Sequence, residues 1–136
     1  MTSKLWHILA LGWVGVLFIE PVAEIYDDMT TPQPWFDAQL SLRGDRVIYE
    51  RQINRWMRGD WVATVQVMDG GIWRGVCSGG DSYVYRPETS GETNMSVHYF
   101  TGGCDAPSEP YRICADYVMT DRRGTTRDFG PFCTKE

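Results

Sequence analysis

Four cysteines, Cys77, Cys104, Cys114 and Cys133, are the residues of this 136-residue chain best equipped for chemistry. Thiols spaced C-x-x-C serve zinc or redox exchange, because both sulfurs then meet within one turn. Here the spacings are 27, 10 and 19 residues, no C-x-x-C occurs, and His98 is the one imidazole in their neighbourhood. The pattern therefore predicts two structural disulfides formed in an oxidising compartment, with no metal centre and no redox pair. The count alone leaves three pairings open. The segment YRICADYVMTDRRGTTRDFGPFC, residues 111–133, favours one of them. A hairpin turn centred between Arg123 and Gly124 sets Cys114 opposite Cys133, and Cys77 is left to pair with Cys104. Tyr111, Ile113, Ala115, Tyr117 and Met119 form the apolar face of the first strand, so the Cys114 bridge falls on the outer face. A simple two-residue loop would make it a hydrogen-bonded pair with Cα atoms ~5.5 Å apart. Gly130-Pro131 is the place where a bulge would enter.

Other chemistry is sparse. The chain holds no G-x-S-x-G, no H-E-x-x-H and no phosphate-binding Gly loop, and its adjacent carboxylates Asp27 and Asp28 stand in a solvated stretch. The sequence is read as a non-enzyme without cofactor or metal. Its most suggestive binding feature is INRWMRGDW, residues 53–61, where Arg55 and Arg58 flank Trp56 and Met57 in the connection between two strands. Exposed aromatic and arginine side chains of this kind make contact hot spots. The competing expectation is that Trp56 and Met57 fold over the end of the core as a plug. The Arg58-Gly59-Asp60 tripeptide is too short to be specific.

The elements that must carry these residues begin with an export signal. After Lys4, residues 5–19 are largely apolar and are followed by Glu20 and Pro21. Such a run covers ~22 Å, and with its polar ends snorkelling it spans a bilayer. Residues 1–23 are read as a signal-anchor or transmembrane helix, with the N-terminus cytoplasmic and the C-terminal domain periplasmic or extracellular; secretion after signal cleavage is the alternative. Residues 24–35, with acids and with Pro32 and Pro34, read as an extended linker. Net charge is -5, and beyond the linker the balance is close to neutral, so no basic field recruits nucleic acid.

Residues 36–136 carry β signals. RVIYERQIN (46–54) places Val47, Tyr49 and Ile53 on one face, with Arg51 breaking the pattern. WVATVQVM (61–68), DGG (69–71) and IWRGVC (72–77) read as a hairpin, SGGDS as a Gly-rich loop before a short strand at 83–85, and NMSVHYFT (94–101) as a strand. Strand-like runs at this spacing predict an all-β, seven-stranded sandwich after one apolar helix.

The succession VIYERQINRWMRGDWVATVQV, GVCSGG, YFTGGC and YRICADYVM resembles that of immunoglobulin and fibronectin type III sandwiches, and is similar to small exported proteins of phage and alphaproteobacterial type. The resemblance departs from antibody domains, since no Cys-Trp-Cys arrangement is present and Tyr111 is not two residues before Cys114. It implies a fold and no catalytic residue. The expected role is a membrane-anchored extracytoplasmic domain that binds another protein or an envelope component through its loop tips. The alternative is a small accessory or phage-encoded subunit of a membrane complex, associating through residues 5–23.

Overall fold

The structure, a computed structural model, describes residues 34–135 without a break, together with Trp13, Ile19, residues 21–23, Ile25, Tyr26, Met29 and Thr30. The chain divides into two units, residues 1–32 and 33–136. In the first, the described residues are helical, and the Thr30 hydroxyl donates to the Tyr26 carbonyl one turn back (2.8 Å). The expected extended linker is thus helical at Ile25, Tyr26, Met29 and Thr30. Nearly all of the apolar run 5–19 lies outside the described residues, among which no helix is long and apolar enough to cross a membrane.

Seven strands build the second unit: β1 (Phe36–Arg43), β2 (Arg46–Ile53), β3 (Met57–Asp69), β4 (Ile72–Tyr85), β5 (Gly91–Ser96), β6 (Tyr111–Asp121) and β7 (Thr126–Cys133). They form two antiparallel sheets, one ordered β1-β2-β5 and the other β4-β3-β6-β7. The β3–β4 turn needs positive φ at both loop residues, and Gly70 (59°) and Gly71 (81°) supply it. Alternation then sorts the faces. Ala63 and Val65 of β3 and Ile113, Ala115 and Met119 of β6 are fully buried between the sheets, while Val62 and Val118 face solvent. Phe36 is the hub of this core, with its ring centre 4.7 Å from Tyr117, 5.6 Å from Tyr85 and 5.8 Å from Phe132.

Both expected disulfides are present, Cys77–Cys104 and Cys114–Cys133. The second is reached by a different register from the symmetric one. Thr120 opposes Thr126 and Tyr117 opposes Phe129, so the turn is centred on Arg123 and the pairing beside it is one residue off. Two residues of β7, Gly130 and Pro131, then stand against Asp116 alone, and this bulge restores the register at Ala115–Phe132 and Cys114–Cys133. The Cα atoms of the bridged pair are 4.0 Å apart, the close spacing of a non-hydrogen-bonded pair instead of the wider one.

Two elements differ from expectation. The Gly-rich run is no loop: residues 72–85 form one 14-residue strand. The second half of NMSVHYFT is not strand but a single turn of helix, α1 (Val97–Phe100), capped by the Ser96 hydroxyl accepting the Tyr99 N–H (3.2 Å). The sandwich closes on one side only. There the Lys135 N–H donates to the Leu40 carbonyl, which ties the C-terminus to β1 (3.3 Å). On the other side β4 and β5 leave the sheets parted.

Candidate functional site

The parted side forms an open cleft of about 570 Å³ running between the sheets, within the ~300–1,000 Å³ of small-ligand sites. Its walls follow from strand alternation. β2 turns Tyr49 and Arg51 inward, and β4 contributes Asp81, Tyr83 and Tyr85 from the matching face. Thr93 stands opposite Tyr49 on β5, while Trp61 of β3 and Tyr117 of β6 form the floor.

The aromatic rings are held in one contact network. The Tyr83 and Tyr85 centres are 5.0 Å apart, Tyr49 meets Phe100 at 5.3 Å, and Trp61 stacks on Phe100 at 6.3 Å. The Tyr117 hydroxyl donates to the Tyr49 hydroxyl (3.1 Å). Burial raises the pKa of Tyr49, Tyr85 and Tyr117, because a phenolate has no water to solvate it there. These hydroxyls therefore stay protonated and remain hydrogen-bonding groups. The Arg51 guanidinium lies among them, 5.3 Å from the Tyr83 ring centre and 5.7 Å from that of Tyr49, with its Nε donating to the Thr89 carbonyl (3.1 Å).

One end of the cleft is built by α1 and the turn that follows it. The Thr101 hydroxyl donates to the Val97 carbonyl (2.7 Å) and accepts the Cys104 N–H (2.9 Å), while Cys104 is bonded to Cys77 in the middle of β4. The bridge thus fastens the cleft wall to the opposite sheet edge. Gly79 makes the approach possible, since a Cβ there would overlap the Thr101 carbonyl. Gly79→Ala is expected to cost about 1–3 kcal/mol, the usual cost of overpacking, measured as a lowered urea midpoint at unchanged m-value.

The tip residues Arg55, Trp56, Met57 and Arg58 separate. Met57 opens β3 and is fully buried, opposite Tyr85 and Asp121. Arg55 is also buried: it pairs with Asp121 (3.0 Å) and its guanidinium lies 4.1 Å from the Trp35 ring centre. Trp56 is half-buried beneath Arg122 (5.0 Å), and Arg58 is exposed. Met57 therefore plugs the core end and only Trp56 and Arg58 reach the surface. Arg58-Gly59-Asp60 lies inside β3, with the Ser82 hydroxyl donating to Asp60 across to β4 (2.5 Å).

The cleft was not singled out in the sequence, although Arg51 interrupting the apolar face of β2 was its visible signal. Among the described residues no group of three or more His, Cys, Asp or Glu is placed to hold a metal ion. The arrangement offers ring faces, neutral hydroxyls, the Arg51 guanidinium, the Asp81 carboxylate and the His98 imidazole. No family model, curated protein or solved structure matches the chain.

Proposed function

We propose that this chain is a non-enzymatic extracytoplasmic binding domain, held at the membrane by residues 5–23, that takes an envelope component in the cleft between β4 and β5. The observation that carries the reading is Arg51. A guanidinium half-buried among tyrosine rings, on a face otherwise given to the core, costs solvation that core packing alone does not require. The two disulfides support the exported location, because such bridges persist in oxidising compartments. The three- and four-stranded sheets, β1-β2-β5 on β4-β3-β6-β7, support an immunoglobulin or fibronectin type III kind of sandwich.

Material retained by the full chain purified from membranes, released by denaturation and read by mass spectrometry, tests this. Thr93→Trp, which fills the cleft from its exposed edge, is expected to lower retention ~10-fold or more, because a filled site excludes its ligand. Trp56→Ala is expected to leave it unchanged. The reverse result would move binding to the tip. Loss of retention on exchanging residues 5–23 for an unrelated apolar anchor would favour the accessory-subunit role instead.

A further inference from the structure

We infer that the cleft recognises an acidic sugar, with a hexuronate carboxylate on Arg51 and the sugar ring against the tyrosine and tryptophan faces. The inference rests on the cleft being the binding site and specifies its ligand. Three features of the walls carry it.

The first is charge. Among the described residues the ion pairs are Arg55–Asp121, Arg74–Asp69 and His98–Asp105, and none involves Arg51. Its Nε is occupied by the Thr89 carbonyl and its side chain also meets the Tyr49 hydroxyl, so a ligand carboxylate takes the remaining N–H groups. The planar fork of a guanidinium matches a carboxylate through two parallel N–H bonds, and a partly dehydrated wall strengthens them.

The second is the mixture of ring face and hydroxyl. Tyr83 remains 43% exposed and so offers its ring to a ligand, and Trp61 offers a half-buried indole. Tyr49 and Tyr117 add neutral hydroxyl groups at the floor. A sugar presents both complements, C–H faces for the rings and hydroxyls for the polar groups. A purely aromatic acid would use the ring faces and leave the remaining hydrogen-bonding capacity of those hydroxyls unmatched by the ligand.

The third is a carboxylate on the cleft wall. Asp81 is exposed there, opposite Trp61, and accepts the Ser82 N–H (2.7 Å). A carboxylate there accepts sugar hydroxyls and repels ligands that are anionic along their whole length, so the site favours a ligand with a single acidic group.

Titrating the full-length protein in detergent with glucuronate, glucose and benzoate, followed by the backbone amide resonances of Gly80, Gly102 and Gly103 at the cleft, decides the matter. Glucuronate is expected to bind ~10-fold or more tightly than glucose, from the charge-assisted bonds. Arg51→Gln should reduce it to the level of glucose, and Arg51→Lys, which keeps the charge without the fork, should fall between. Tyr83→Ser, which leaves the guanidinium in place, should weaken both sugars. Equal binding of glucose and glucuronate by the wild type would overturn the carboxylate assignment while leaving the cleft as the site. Benzoate matching glucuronate would overturn the sugar assignment. If none of the three probes moves those glycine resonances, the sugar inference is overturned, and the ligand-retention experiment with Thr93→Trp judges the cleft by itself.

Discussion

Reduction of both disulfides is expected to unfold the sandwich. Cys77 and Cys104 are 27 residues apart, and Cys114 and Cys133 are 19 apart. Closing loops of these lengths restricts the unfolded chain by about 3.5 and 3 kcal/mol respectively. Together that is roughly 6–7 kcal/mol, the same size as the ~5–15 kcal/mol that holds a domain of this kind folded. Urea unfolding with and without dithiothreitol measures the sum, and the pairs Cys77→Ser/Cys104→Ser and Cys114→Ser/Cys133→Ser apportion it. The two bridges should differ in more than size. Cys114 and Cys133 link strands already paired in one sheet, whereas Cys77–Cys104 holds the α1 turn against β4. Losing the latter should therefore also broaden the amide resonances of Gly102 and Gly103. An unchanged urea midpoint under reducing conditions would contradict the loop-closure account.

Asp121→Ala is expected to be the most damaging single side-chain substitution, at about 3–5 kcal/mol, because it removes one partner of a buried ion pair. The Asp121 side chain is 3% exposed and that of Arg55 9%. One carboxylate oxygen accepts from Arg55 (3.0 Å), and the other accepts the Arg123 and Thr125 N–H groups (2.9 and 3.0 Å), so the same residue also shapes the β6–β7 turn. The substitution would further leave two guanidiniums on one indole without this carboxylate, since Arg55 and Arg127 lie 4.1 and 3.9 Å from the Trp35 ring centre. Asp121→Ala/Arg55→Met should recover part of the loss, because the buried charge goes with its partner. A double variant as unstable as the sum of its single variants would show that the ion pair is not the source.

Sequence reasoning reached what depends on period and count. Even cysteine number and the missing C-x-x-C fixed the sulfurs as disulfides, and two-residue alternation in residues 61–68 and 111–119 separated buried from exposed faces, because strand pleating imposes that period locally. What it missed depended on partners distant in sequence. SGGDS looks like a loop by its glycines, yet it stays in β4 because the Thr101 carbonyl packs over Gly79, a contact no local pattern announces. NMSVHYFT looks like a strand, yet Val97–Phe100 turns into helix once Ser96 caps it and Cys104 must return to Cys77. The register of β6 and β7 shows the same division. The cysteines face each other as symmetry about the turn requires, but by a shifted turn and a compensating bulge. Arg51 is the sharpest case. By itself the sequence determined that a cation interrupts an apolar face. Only the tertiary structure decided that this face lies at the unsealed edge between two sheets, because sheet order, not strand sequence, determines which edges meet and which stay apart.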